Sequence, residues 1–183
     1  MGTRGTWGVK WQGKEYLFYN HFDSYPEGLG QEMLRTLQMV TIDQIKKAIE
    51  NAVVVEHEGE ATEEQFERYK KIIAKLGDTV PDEAQAKLYG RTTRTWYLLL
   101  RDYQMMPEVY LSGTMPFWPL ENEFIEDGLF CEFGYVLDLD AEELVMYMSG
   151  RDRRMSFPFD QIQREPELVM KMMCDEVYAE EDE

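Results

Sequence analysis

One short segment, residues 19–30, concentrates the side chains that could do chemistry. It reads YNHFDSYPEGLG and follows a pattern typical of a half-buried strand. A nucleophile needs a base within about 3 Å and a third group that orients the base. His21, Asp23 and Ser24 supply these residue types, and Cys131 is a further candidate nucleophile. These types indicate a small hydrolase-like site, although residue types alone do not fix a geometry.

The same segment has the features of a ligand-binding site. A helix beginning near Gly30 would direct backbone N–H groups at a carboxylate or phosphate, and a nearby cation would strengthen the binding. Arg4 is the expected cation, because strand pairing would bring MGTRG close to the segment. The candidate ligand-binding residues are Arg4, Tyr19, Asn20, His21, Asp23, Tyr25, Gly28 and Gly30.

A structural interpretation of the segment is simpler. Asp23 and Ser24 precede Pro26, as they would at a turn or a helix start, and Gly28 and Gly30 are ordinary turn residues. The segment contains neither GxxxxGK[ST] nor GxGxxG, the patterns of nucleotide-binding loops. Catalysis, ligand binding and structure are therefore three hypotheses for the same residues.

Metal-ligating residues are few. The chain has two histidines, and the second, His57, lies in the charged segment EHEGE, which we interpret as a solvated loop. Asp138 and Asp140 lie at an expected strand turn. Their spacings match neither a transition-metal site nor a calcium loop. We therefore predict no metal and no cofactor.

A β-hairpin is expected to position the segment. Residues 6–12 alternate apolar and polar side chains, a turn follows at Gly13 and Lys14, and the alternation resumes over residues 16–18. Alternation returns near the C-terminus. The strands expected there are 130–137, 144–148 and 154–157.

Helical periodicity fills the middle of the chain. Thr41 with Gln44, and Thr62 with Gln65, have the spacing of capping boxes. The expected helices are 32–40, 42–52, 63–77, 81–88, 93–105 and 166–173. We predict one α+β domain over residues 1–173, with an antiparallel sheet made from the N-terminal hairpin plus the C-terminal strands and covered by the central helices. Residues 174–183 are expected to form an acidic tail.

The composition indicates in which cellular compartment the protein is expected. The chain of 183 residues is 44% hydrophobic, enough for an independent core. Its two cysteines, Cys131 and Cys174, form no CxxC pattern, which favours a reducing cytoplasm over a disulfide framework. No apolar run reaches the roughly 18 residues of a membrane span, so we expect a soluble protein. Gly2 matches the N-myristoylation pattern, but a single acyl chain would hold a membrane only marginally.

The net charge of −17 is concentrated in one part of the chain. Residues 121–183 hold 19 of the 36 acidic residues and only 5 of the 19 basic ones. Such a surface repels phosphates, so no nucleic-acid partner is expected, and it attracts basic proteins. An acidic surface also simply keeps a protein soluble.

Residues 105–119 are apolar and broken by prolines, and the chain contains 12 methionines. Methionine-rich surfaces adapt to partners, so the segment is a candidate contact surface. Packing over the sheet, as a long buried connection, is the default interpretation.

The segments MGTRG, YNHFDSYPEGLG and DGLFCEFGYVLDLD resemble motifs of a family of small, uncharacterised proteins from phages, bacteria and fungi. The resemblance covers both ends of the chain and implies a single domain that is phage-related or microbial in origin. No activity is attached to the family. Function is therefore predicted from the residues alone: an acidic interaction protein, an inhibitor or regulator of a basic partner, with a hydrolase-like or ligand-binding protein as the alternative.

Overall fold

A computed structural model of the protein describes residues 2–179. The N-terminal alternation produces a hairpin of β1 (Gly5–Trp11) and β2 (Lys14–Asn20). Its two-residue turn lies at Gln12 and Gly13, one residue earlier than expected. Both turn residues have positive φ, 52° and 75°, as in the type I′ turns that match the twist of paired strands.

The hairpin joins the C-terminal strands in one sheet, which confirms the predicted α+β class. The three C-terminal strands are β5 (Phe133–Asp138), β6 (Glu143–Met148) and β7 (Arg153–Pro158). The strand order is β2-β1-β5-β6-β7. The sheet is mixed rather than wholly antiparallel as predicted, because β1 and β5 run parallel while the other neighbours are antiparallel. A parallel pair needs a long crossover connection, and the central helices supply it.

Capping residues set the helix boundaries. Thr41 and Thr62 form the expected capping boxes with Gln44 and Gln65. Residues 93–105 contain a shorter helix than expected, followed by a 3-10 turn over Arg101–Tyr103. The helices are α1 (Gln31–Met39), α2 (Ile42–Asn51), α3 (Glu63–Lys75), α4 (Glu83–Leu88), α5 (Trp96–Leu100), α6 (Pro107–Leu111), α7 (Phe159–Arg164) and α8 (Pro166–Tyr178).

The main core lies between one face of the sheet and the helices. Trp7 and Phe18 stack there with ring centroids 4.0 Å apart, and the Trp7 Nε1–H donates to the Gln104 carbonyl. The apolar segment 105–119 is largely buried in this core. Its Phe117–Trp118 strand, β4, pairs in parallel with Val53–Val54, which is β3.

The opposite face of the sheet is covered by residues 121–131. Leu17 and Val136 contact Ile125 and Cys131 in a second, smaller cluster. Strand β5 begins at Phe133 rather than at Phe130, because the residues before it form this covering segment. The segment also forms one wall of the site described below.

The C-terminal helix is longer than expected. Helix α8 continues to Tyr178, so residues 174–178 extend the helix beyond the boundary placed at Met173. The expected acidic tail also includes residues 180–183, which lie outside the described part of the chain. Across residues 2–179, every helix is too short or too polar to cross a bilayer.

Candidate functional site

The segment 19–30 leaves the end of β2 and folds against the start of the chain. The Ser24 N–H donates to the Thr3 carbonyl (3.2 Å). A Cβ added at Gly5 would lie 2.6 Å from the Ser24 Cβ, so only glycine permits this close approach. The structure therefore brings residues 2–5 next to the segment, in line with the expectation from strand pairing.

Two of the polar residues in the segment are buried and bond within it. Asn20 is 2% exposed and Ser24 is fully buried. The Asn20 Nδ2 donates to the Phe22 carbonyl and to the Ser24 Oγ. The Ser24 carbonyl accepts a hydrogen bond from the Tyr135 hydroxyl (2.9 Å). Both side chains thus hold the loop in shape, and neither reaches solvent.

The four candidate catalytic residues are not brought together. The Cys131 thiol is buried and lies 3.6 Å from the Thr6 Oγ1, and burial raises the pKa of this thiol. Asp23 is exposed on a backbone with φ of 52°. Within residues 2–179, His21 makes no hydrogen bond to Asp23, Ser24 or Cys131. Their catalytic role stays a prediction without geometric support.

The expected anion site at the helix start is closed by the loop itself. The N–H groups of Gly28 and Gly30 donate to the Tyr25 carbonyl, and the Leu29 N–H donates to the Asp23 carbonyl (2.9 Å). A side chain at Gly28 would place its Cβ 2.1 Å from that Asp23 oxygen. These donors are used internally, in a π-helical turn over Pro26–Gly30 that leads into α1.

Arg4, the expected cation, lies near the segment but serves another contact. Its guanidinium carbon is 5.1 Å from the centre of the Phe130 ring. Its backbone pairs with Glu132, whose N–H donates to the Arg4 carbonyl (3.0 Å). Arg4 therefore stacks on an aromatic ring instead of completing a phosphate site.

Two residues of the segment, Tyr19 and His21, face a cleft of about 620 Å³. We call it the histidine cleft, because it contains both histidines of the chain. Three elements meet there: the end of β2, the loop before α3 with the start of α5, and the segment that covers the second face of the sheet. The lining residues are Tyr19, His21, His57, Glu58, Tyr97, Glu121, Glu123, Phe124 and Asp127.

On the β2 side, Tyr19 and His21 form a hydrogen-bonded pair. The Tyr19 hydroxyl lies 2.7 Å from the His21 Nδ1, and burial raises the pKa of Tyr19, against a smaller opposing effect of Arg4. A protonated hydroxyl donates, so a neutral His21 accepts at Nδ1 and carries its proton on Nε2. The His21 backbone N–H donates to the Gln104 Oε1 (3.1 Å), which fixes the position of the residue.

His57 lies on the opposite wall of the cleft, although its charged sequence context predicts a solvated loop. Its carbonyl accepts from the Tyr97 N–H (2.7 Å), and the two rings meet edge to face at 5.3 Å. His57 is only partly exposed. Burial lowers its pKa, although Glu58 and Glu121 act in the opposite direction. The lowered pKa favours the neutral form of the imidazole at pH 7.

Four carboxylates line the cleft, and three of them have no lysine or arginine partner in the part of the chain that the structure describes. Arg91 pairs with Glu58 through two hydrogen bonds, at 2.8 and 3.2 Å, and these lower the pKa of Glu58. Within residues 2–179, no lysine or arginine forms an ion pair with the other three carboxylates. The described lining of the cleft also contains no lysine or arginine. Those three are Glu121, Glu123 and Asp127.

The arrangement of charges in the cleft suits an organic cation, such as a guanidinium or ammonium group, better than a metal ion. Across residues 2–179, no three histidine, cysteine or acidic side chains are grouped so that they could hold a metal. A guanidinium or an ammonium group, by contrast, binds well to carboxylates beside aromatic faces. Tyr19, Tyr97 and Phe124 supply those faces; Tyr19 and Phe124 pack edge to face at 4.8 Å.

Sequence reasoning found Tyr19 and His21 but missed the other walls of the cleft. His57 and Tyr97 are distant in sequence and meet because residues 57–61 hydrogen-bond to residues 94–97. One local signal was present: ENEFIED, residues 121–127, holds four acidic side chains around two apolar ones. A comparison of the chain with models of protein families, with curated proteins and with solved structures finds no match. The resemblance based on sequence motifs stays a prediction.

Proposed function

We propose that this chain is an acidic interaction protein that binds a basic segment of a protein partner in the histidine cleft. One observation carries the proposal. Glu121, Glu123 and Asp127 share an aromatic-lined cleft with no basic residue paired to them in the described chain. A lysine or arginine side chain of a partner would supply the missing charge and stack on the rings.

The surroundings of the cleft support the same partner class. The nearby cation Arg91 is already held by Glu58 and by the Tyr97 ring, 4.3 Å from its guanidinium carbon. The overall charge of −17 would steer basic proteins toward the surface and repel phosphate groups. We therefore propose a protein partner rather than a nucleic acid, with binding acting as inhibition or regulation. Both cysteines are free, which supports a site of action in the cytoplasm.

The test is calorimetric titration with a short acetylated peptide that contains two lysines and two arginines separated by glycines. The double variant Glu121→Gln/Glu123→Gln keeps the shape of the cleft and the acceptor oxygen that Glu121 offers to the Glu123 N–H. Two surface charge pairs are together worth about 1.4 kcal/mol, so we expect about tenfold weaker binding. Raising the salt from low to high should weaken the wild type more than the variant.

A matched control separates the cleft from the net charge. Glu165→Gln/Glu167→Gln changes the formal charge by the same amount at the start of α8, where both side chains are exposed. We expect this control to bind the peptide almost as the wild type does. If both double variants weaken binding equally, the cleft is not the binding site.

A second candidate function is a small hydrolase-like enzyme, and one observation favours it: His21 and His57 line the same cleft. A neutral His57 could take a proton from a water nucleophile. Neither a serine, a threonine nor a cysteine is among the lining residues, so binding is the better supported function.

A further inference from the structure

Beside the histidine cleft lies an exposed apolar patch, which we define as Phe22 and Phe130 together with Leu129, the neighbour of Phe130 on the same turn. Leu129 is 78% exposed, Phe22 49% and Phe130 48%. Large apolar side chains exposed together on a protein surface mark interaction sites.

The backbone fixes the patch in this exposed position. The Asp127 carboxylate accepts hydrogen bonds from the N–H groups of Leu129 (3.0 Å) and Phe130 (2.9 Å). The Asp127 carbonyl accepts another from Cys131, which is buried. The two apolar side chains therefore project from a closed turn, and little conformational entropy would be lost when a partner covers them.

Phe22 and Phe130 belong to one surface, because they pack on the same short stretch of chain. A Cβ built on Gly2 would lie 2.4 Å from the Phe22 ring, and the Arg4 guanidinium lies over the Phe130 ring. The carbonyls of Thr3 and Arg4 accept from opposite neighbours, as in an extended strand. Residues two apart in such a strand point to the same side.

The patch is continuous with the cleft at two points. The His21 ring, which lines the cleft, meets the Phe22 ring edge to face at 4.4 Å. Asp127 lines the cleft and also holds the turn that carries Leu129 and Phe130. An extended peptide could therefore contact both features with neighbouring residues, which lie about 3.3 Å apart along a strand.

We infer that the patch and the cleft together recognise a segment of the partner in which a bulky apolar residue adjoins a lysine or arginine. This inference rests on the proposed function and specifies its partner. Charge sets the orientation of the partner segment. The carboxylates of the cleft attract its lysine or arginine, whereas Arg4 repels that residue from the patch. The apolar residue is thus directed onto Phe22 and Phe130.

The test compares two acetylated peptides that differ at one position, tryptophan-lysine-arginine and alanine-lysine-arginine, each flanked by glycines. Dissociation constants are measured by calorimetry. We expect the tryptophan peptide to bind the wild type about tenfold more tightly, as a buried aromatic anchor does. Leu129→Ser/Phe130→Ala should abolish this preference and leave the affinity for the alanine peptide unchanged.

Two controls keep the result interpretable. Met39→Ala removes another exposed apolar side chain, 57% exposed at the end of α1, and should preserve the preference. Leu129→Ser alone changes the most exposed side chain of the patch and should reduce the preference without affecting folding. Equal binding of both peptides, or a preference that survives the double variant, would overturn the inference and leave the proposed function standing. Failure of both peptides to bind would overturn the proposed function and, with it, this inference.

Discussion

Replacing Asn20 with alanine tests whether the buried half of segment 19–30 maintains the position of His21. The Asn20 amide is 2% exposed and donates two hydrogen bonds, to the Phe22 carbonyl and the Ser24 Oγ. These bonds join Asn20 to the residues two and four positions further along the loop. Each hydrogen bond contributes about 0.5–1.5 kcal/mol, and more when a buried partner is left unsatisfied. We therefore expect Asn20→Ala to lower the free energy of unfolding by about 1–3 kcal/mol.

The assay is urea unfolding followed by tryptophan fluorescence. A loss of stability should shift the midpoint and leave the slope unchanged. Asn122→Ala is the matched control, because the Asn122 amide also makes two hydrogen bonds. Both are to the main chain: its oxygen accepts from the Leu17 N–H and its nitrogen donates to the Glu15 carbonyl. Asn122 is exposed, so water can replace its hydrogen bonds. The free energy of unfolding lost in Asn122→Ala should therefore be less than about half of that lost in Asn20→Ala.

Peptide binding supplies a second readout for Asn20→Ala. Under conditions where this variant is folded, Asn20→Ala should weaken binding of the basic peptide, because the loop that carries His21 loses its internal bonds. Asn122→Ala is a control for stability alone, because Asn122 anchors the stretch that carries Glu121 and Glu123, which line the cleft. Equal costs in the two unfolding curves would refute the argument from burial, and unchanged peptide affinity in Asn20→Ala would refute the link to His21.

Two further predictions concern the loop and the pH dependence. Gly28→Ala would place a Cβ 2.1 Å from the Asp23 carbonyl oxygen, so we expect a loss of about 1–3 kcal/mol in urea unfolding. Gly59→Ala, whose Cβ would lie 3.3 Å from its nearest neighbour, should cost clearly less. Burial lowers the pKa of His57 from 6.5. The unfolded chain therefore takes up the proton at a higher pH than the folded protein does, and the free energy of unfolding falls as the pH drops below about 6.5. His57→Gln should lose less stability between pH 7 and pH 5 than the wild type, and equal losses would contradict this assignment.

The elements that could be predicted are those governed by neighbours in sequence. Thr41 and Thr62 cap their helices as expected, because a capping box needs only a side chain three residues away. The N-terminal hairpin follows in the same way from alternation and a tight turn. The parallel pairing of β1 with β5 was not predictable, since periodicity describes which face of a strand is buried and not the direction of its neighbour.

The candidate site depends on contacts between residues distant in sequence. His57 was interpreted as solvated because EHEGE is highly charged, and charge is a good local indicator of exposure. The structure places its carbonyl against the Tyr97 N–H and its ring against the Tyr97 ring. Such pairing between residues 57–61 and 94–97 leaves no periodic pattern, so only the tertiary fold reveals that the two histidines share a cleft.

The three hypotheses for segment 19–30 concern different residues within it. Asn20, Ser24 and Gly28 are constrained by the fold: two are buried and bonded, and the third cannot carry a Cβ. Tyr19 and His21 face the cleft. A destabilised Asn20 or Gly28 variant would therefore not argue against a function for His21. The informative comparison is between residues of one loop, in which inward-facing substitutions change unfolding and outward-facing ones change binding at constant stability.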